Sequence, residues 1–234
     1  MSFIRKELRY IDKCINAIIK ILICTLFIYC IYGIWDNWDV NQRIESEKYE
    51  IYRPEAEEDL FGALREMNPD VFGWLTIEDT PIDYPLVQAE DNYKYMNRNV
   101  KGEYSLAGSI FLDYRNKKDF SDCNSNIYGH HMEQKRMFGG LEDFQEKAYF
   151  ESHKEGRLYY EDKWHKVQFF AFLIVDAYDQ SVYSVGSLDY DTLREKARYF
   201  QEISVTGEEH FLTLSTCASD RTNGRYVLIG KIIK

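Results

Sequence analysis

Three residues of this chain have the chemistry for acyl transfer through a thiol: Cys217, His130 and Arg225. Cys217 closes the run His210-Phe-Leu-Thr-Leu-Ser-Thr-Cys217. A thiol with a pKa near 8.5 is only a few per cent thiolate at neutral pH, so it needs a neighbour that stabilises the anion or takes the proton. His130, in Ser125-Asn-Ile-Tyr-Gly-His-His-Met132, offers an imidazole able to give and take protons near neutrality. Arg225, just after the turn-forming run Ala218-Ser-Asp-Arg-Thr-Asn-Gly224, offers directional donors that do not titrate, as a developing oxyanion requires. The commoner fate of a strand-end cysteine is to act as a small hydrophobe, and residue types alone leave both readings open. His131 competes with His130. Adjacent strand residues point to opposite faces, so only one of the two can look into a given groove. His153 and His165 lie in charged surroundings, and His210 only opens a strand.

The elements that must position these residues are mostly short strands. Val71–Ile77, Ile82–Gln88, Gly108–Asp113, Ser125–His131, Leu158–Glu161, Lys163–Ala177, His210–Cys217 and Arg225–Ile233 are apolar-rich runs separated by turn signals. Eight such runs argue a barrel or a sandwich. Pro54 to Met67 reads as a helix: proline suits its first turn, acids suit its positive end, and Leu60, Leu64 and Met67 share a face. Asn68-Pro69 stops it. A short helix is expected around Met137–Glu146. Another is expected between Asp189 and Ile203, where Tyr190, Leu193, Ala197 and Phe200 fall on one side. No internal repeat or low-complexity segment is present.

Charge is distributed unevenly. Residues 1–35 carry five basic and two acidic residues, a net +3, and the remainder is at −13. An acidic chain of this kind lacks the basic face that nucleic-acid binding requires. The run Ile15 to Trp35 has about the 20 apolar residues that a membrane span needs, with Asn16 and Lys20 as its polar members. Lys20 sits one turn inside and can snorkel to the interface. Basic residues precede the run, Asp36, Asp39 and Glu45 follow it, and Tyr29, Tyr32, Trp35 and Trp38 suit the outer boundary. The expected topology is a single pass with residues 1–14 cytoplasmic, 15–35 as signal anchor, 36–67 as stalk and N-terminal helix, and 68–234 outside the cell. A cleaved signal peptide fits less well, since no small-x-small site follows the apolar run. Three of the five cysteines belong to this N-terminal region, leaving Cys123 and Cys217. No Cys/His spacing suits a metal, and a Cys123–Cys217 disulfide lacks the regular framework usual for disulfide-stabilised domains.

Thr213-Leu-Ser-Thr-Cys217, Asn126-Ile-Tyr-Gly-His130 and Gly224-Arg225 resemble the three signature segments of sortases, the cysteine transpeptidases of Gram-positive surfaces. Asn68-Pro-Asp-Val-Phe-Gly-Trp-Leu75, Ile82-Asp-Tyr-Pro85 and Gly108-Ser-Ile-Phe-Leu-Asp113 are similar to further family segments in the same order, from about Asn68 to Lys234. The longer helical insert before the catalytic strand resembles class B.

The resemblance implies a mainly β fold: an eight-stranded sortase β-barrel with an N-terminal helix and a helix between the sixth and seventh strands. It selects His130, directly after glycine, as the general acid–base, with Cys217 as nucleophile and Arg225 as oxyanion partner. It also implies a peptide groove lined by Asn92, Met96, Tyr128 and Ser215, with the loop around Asp179–Val185 as its other wall. Cys123 matches no family element. The implied reaction cuts a secreted protein's C-terminal sorting signal after threonine, holds the acyl fragment on Cys217, and passes it to an amine of the peptidoglycan cross-bridge precursor without a cofactor. Its partners would be sorting-signal peptides and that amine; they do not include nucleic acid. Class B relatives take an Asn-Pro-type or a Pro-x-Thr-Gly-type signal. A pilin-polymerising sortase is the nearest rival, although no added lid segment precedes the domain. A non-catalytic binding module would be expected to lose Cys217, His130 or Arg225, all present here. An L,D-transpeptidase would place its cysteine in a Ser-x-Gly-Cys setting, which Ser215-Thr-Cys217 lacks.

Overall fold

Apolar runs with exposed backbone edges must pair, and in the computed structural model eight of them pair until the sheet meets itself. The structure describes residues 2–43, 47–54, 60–219 and 222–233. Two compact units are present, residues 1–43 and 44–234.

The first unit is the helix α1 (Ser2–Arg43). It contains a 25-residue run, Asp12–Asp36, long and apolar enough to cross a membrane. At 1.5 Å per residue this run reaches about 37 Å, beyond the hydrocarbon thickness of about 30 Å. Thr25 is accommodated there because its hydroxyl donates back to the carbonyls of Ile21 and Leu22 at 2.8 and 2.9 Å. The helix extends past the expected span in both directions and includes the start of the expected stalk.

The second unit begins with α2 (Glu47–Glu50) and α3 (Leu60–Met67). The expected Pro54 start of the latter helix adjoins residues 55–59, which lie outside the described residues. Leu64 and Phe61 of α3 are buried with Trp74, Val87 and Tyr95. The strands follow: β1 (Val71–Ile77), β2 (Asp83–Val87), β3 (Ile110–Leu112), β4 (Asn124–Tyr128), β5 (Glu155–Tyr160), β6 (Lys163–Asp176), β7 (Tyr199–Phe200), β8 (Phe211–Cys217) and β9 (Gly224–Ile233). The order is β5-β1-β2-β3-β4-β8-β9-β6-β7, and the extra β5–β6 pairing closes eight of them into a barrel. The β5–β6 hairpin turns through Glu161 and Asp162, both at positive φ, as a tight two-residue connection demands.

Two neighbouring pairs, β2/β3 and β4/β8, are parallel. Parallel neighbours cannot be joined by a hairpin, so each needs a long crossover. The first crossover spans residues 88–109. The second includes β5, β6 and the insert bearing α5 (Gln180–Tyr183) and α6 (Tyr190–Lys196). Before β5 stand a 3-10 segment Gly139–Gln145 and α4 (Lys147–Ser152), where one short helix was expected.

The helix expected over 189–203 is shorter. Asp189 caps α6 by accepting from the amides of Asp191 and Thr192, but the helix ends at Lys196. The reason is the edge of β6. Its residues 163–168 pair with β5, and beyond them Tyr199 and Phe200 pair with Phe172 and Ala171. The Arg198 amide donates to Phe172 O at 2.9 Å, and the Gln201 amide to Phe170 O at 2.8 Å. Tyr190, Leu193, Ala197 and Phe200 still pack on one core with Phe170 and Phe211, Phe200 doing so from a strand. Every residue of β8 before Cys217 is buried, because the insert covers the face of Phe211 while Leu212 and Leu214 fill the opposite face.

Candidate active site

Strand β8 delivers Cys217 to the barrel rim. Along it, alternate residues share a face, so Phe211, Thr213, Ser215 and Cys217 lie on the side covered by the insert. Where that cover ends the strand ends, and Cys217 is exposed. Antiparallel pairing sets Cys217 opposite Arg225, the second residue of β9. Arg225 is also opposite Val175 near the end of β6. Parallel pairing sets Tyr128 of β4 beside Ser215, and the Gly129 amide continues the ladder to Ser215 O at 3.3 Å. β4 therefore stops before the expected His131, and His130 follows on the rim beside β8. Cys217, His130 and Arg225 line one groove of about 480 Å³, within the size range of pockets that hold small ligands and peptide segments.

The two adjacent histidines, both beyond the end of β4, take different partners. His130 Nε2 lies 2.6 Å from the main-chain oxygen of Met96. His131 Nε2 lies 3.2 Å from a carboxylate oxygen of Glu142, and its ring packs near Tyr226. Arg225 donates through Nη1 to Gly224 O at 2.8 Å. Among the described residues no carboxylate pairs with Arg225, so its remaining donors are available to a ligand.

The two crossovers form the walls. On one side are Asn92, Tyr93 and Met96, the last 44% exposed. The Asn92 side chain accepts from the Tyr114 amide at 3.0 Å, tying the wall to the segment after β3. On the other side are Tyr178, Gln180 and Tyr183, within or beside the expected loop 179–185. This wall is held from below by two fully buried amides. Asn124 donates to the carbonyls of Val182 and Ser184 at 2.9 and 3.0 Å, and Asn126 to that of Tyr183 at 3.2 Å.

Tyr128 and Ser215 both border the groove, but their polar atoms are already engaged. The Tyr128 hydroxyl donates to Asp113 at 3.0 Å, and Ser215 Oγ is 2.8 Å from the Tyr183 hydroxyl. Burial pushes the Tyr183 hydroxyl up to about 12, outweighing the Ser215 hydrogen bond and the nearby Arg225 charge, so it remains protonated. Burial, reinforced by the Asp113 charge, raises Tyr128 further still.

Sequence reasoning missed Asp113, Arg115 and Tyr183. Asp113 is fully buried and is gripped twice by the Arg115 side chain, Nε to Oδ1 at 2.9 Å and Nη2 to Oδ2 at 2.8 Å. Burial alone would raise the Asp113 carboxyl. The Arg115 side-chain and main-chain hydrogen bonds outweigh it and hold the group below the usual carboxylate range. Their available signal was an acid and a base two residues apart at a strand end, a spacing too common to single out. Cys123 is half-buried against the Phe170, Leu193 and Phe211 core, and both it and Cys217 are free thiols. Among the described residues no group of three or more His, Cys, Asp or Glu side chains is arranged to hold a metal.

A closed eight-stranded barrel whose rim presents a thiol, an imidazole and a guanidinium in one groove defines a cysteine transpeptidase architecture. The Sortase domain model matches residues 75–233, and the chain belongs to the sortase family. Within it, the relatives place the protein among the class B sortases. It is 36% identical over 183 residues to sortase B of Listeria monocytogenes, covering 73% of this chain and 72% of that protein. It is similar to the Streptococcus pyogenes class B sortase involved in pilus biogenesis, with 43% identity, TM-score 0.69, and coverage of 74% of this chain and 97% of that one. A Staphylococcus aureus sortase B–substrate complex matches at 27% identity and TM-score 0.69, over 87% and 97% of the two chains.

Proposed function

We propose that this transpeptidase cleaves a C-terminal sorting signal after threonine through a thioester on Cys217. The observation that carries the reading is the shared groove of Cys217, His130 and Arg225 at the ends of β8, β4 and the start of β9. The Cys217 thiolate attacks the threonine carbonyl carbon, and the oxygen takes up the negative charge. Arg225 donors, directed across the Cys217 pairing, stabilise that oxyanion. Collapse breaks the carbon–nitrogen bond while His130 protonates the departing amine. A second amine then attacks the thioester, His130 takes its proton, and the Cys217 thiolate leaves. Met96, Asn92 and Tyr178 supply the walls along which an extended peptide lies. Similarity to the S. aureus sortase B–substrate complex supports a sorting-signal peptide as the occupant.

The resolving amine is that of the peptidoglycan cross-bridge precursor. A second reading, in which it is a lysine of a pilin subunit, is favoured by the 43% identity to the pilus-biogenesis class B sortase. Incubation of the enzyme with Asn-Pro-type and Pro-x-Thr-Gly-type peptides, followed by sequencing of the products, tests the cleavage. Scission between threonine and the next residue is expected, and any other bond would overturn the reading. Adding either a cross-bridge amine or a lysine-bearing pilin segment, and weighing the transfer product, separates the two acceptors. The N-terminal span is read as an anchor with residues 1–14 inside and the catalytic domain outside, supported by the charge asymmetry across it.

A further inference from the structure

The ring of His130 is held by a main-chain atom, and that atom is itself built into the barrel. A carbonyl oxygen only accepts, so the 2.6 Å contact between His130 Nε2 and Met96 O requires a hydrogen on Nε2. In a neutral imidazole the other nitrogen then carries the lone pair. The hydrogen bond made by one ring nitrogen sets what the other can do.

The Met96 carbonyl has little freedom to turn elsewhere. Met96 ends the 3-10 turn Lys94–Met96, which begins with Asp91 accepting from the amides of Tyr93 and Lys94 at 2.8 and 2.9 Å. Inside the turn Tyr95 is buried, its hydroxyl accepting from Asn68 at 2.8 Å and donating to Asp70 at 2.8 Å. Behind it lies Gly108 at φ +62. A Cβ there would meet the carbonyl oxygens of Tyr95 and Met96 at 2.5 and 2.7 Å. The next residue, Ser109, donates its amide to Tyr95 O at 2.9 Å. Glycine at 108 therefore allows the two chain segments to approach, and that approach aims the Met96 carbonyl at His130.

We propose that the Met96 carbonyl is the orienting acceptor of the catalytic histidine. It does for His130 what a carboxylate or amide side chain does in other nucleophile–histidine triads. It fixes the ring and its Nε2–H tautomer, and leaves Nδ1 to receive and return the proton of the reacting amine. Gly108 is the positioning residue behind it. The inference rests on the reading of His130 as general acid–base.

The test uses the full chain in detergent micelles, with its histidines labelled in the ring nitrogens and His130 assigned by loss of its signals in His130→Gln. At a pH where His130 is neutral, the parent is expected to show a protonated Nε2 and an unprotonated Nδ1. Gly108→Ala is expected to lose that single pattern and to lower kcat about tenfold to a hundredfold, the scale of a small misplacement of a reacting group. KM should move much less. Gly102→Ala is the control: it sits in the same crossover at φ +83 with open space around its Cβ position, so it adds strain without pressing on the carbonyl. It is expected to keep both the tautomer and kcat. A neutral parent His130 protonated on Nδ1 overturns the proposal without any variant, and so does not depend on whether Gly108→Ala folds. A folded Gly108→Ala with parental tautomer and rate overturns the role of Gly108. Parental turnover by His130→Gln would instead remove the general acid–base reading itself, a result distinct from either.

Discussion

At the scale of single residues, the site mixes groups that do chemistry with groups that hold them. Cys217 and Cys123 are both free, but one is exposed in the groove and the other packs against a core. Cys217→Ala should abolish peptide cleavage while Cys123→Ala keeps it, as read by product formation. Equal loss in both would point to a redox pair. Arg225 faces Cys217 across one rung, and removing an oxyanion donor costs about a hundredfold or more. Arg225→Ala should show that loss in kcat, and Arg225→Lys should recover only part, since an ammonium lacks the planar fork. Thermal unfolding should stay within a few degrees of the parent in both. Asp113 makes an acid-side prediction. Its carboxyl titrates lower in the folded chain than the value of about 3.9 expected when unfolded, so ionisation stabilises the fold above that value. This contribution is lost as pH falls through the lower, folded value. Unfolding midpoints between pH 3 and pH 7 should drop on the acid side for the parent, and drop less steeply for Asp113→Asn.

At the scale of elements, the groove is a consequence of the two parallel pairs. Each forces a long crossover, and each crossover returns past the rim carrying one wall. Walls made of crossovers need anchoring, because their backbone groups have no strand neighbour. Asn124 and Asn126 meet that need for the 182–185 segment with donors inside the protein, where an unmet carbonyl costs about 1–3 kcal/mol. Asn124→Ala should therefore lower the unfolding midpoint and raise KM for the sorting peptide more than it lowers kcat, because the wall loosens while Cys217 and Arg225 remain paired. A variant with unchanged KM would show that the 182–185 wall does not touch the peptide.

The whole molecule joins an apolar helix to an acidic enzyme domain. Basic residues precede the span and acids follow it, which predicts that the N-terminus stays inside. Protease added to intact protoplasts should digest the chain beyond Asp36 and spare an N-terminal tag. Protection of the C-terminal domain would reverse the orientation and remove access to secreted proteins.

Much of this architecture was already written in local pattern. Strands β1, β6, β8 and β9 follow from apolar and β-branched runs between turn residues, and the middle of the long helix α1 follows from the apolar run Ile15 to Trp35. The thiol, imidazole and guanidinium carry chemical meaning as residue types, but it was the resemblance of their flanking segments to the sortase signatures that favoured Cys217 as nucleophile and His130 over His131. What local pattern misjudged is instructive. Tyr190, Leu193, Ala197 and Phe200 have helical spacing, yet the chain leaves the helix at Lys196 because the bare edge of β6 beyond Gln168 needs donors and acceptors. Either path buries Phe200 on the same core, so only the distant strand could decide between them. The Tyr183–Ser215 bond was hidden because it joins segments far apart in the chain. The Asp113–Arg115 grip, although local in sequence, gains its weight only from the full burial of Asp113 in the folded barrel. The Met96 carbonyl was the least legible of all: every residue has a main-chain oxygen, and only the tertiary approach permitted by Gly108 turns this one towards His130.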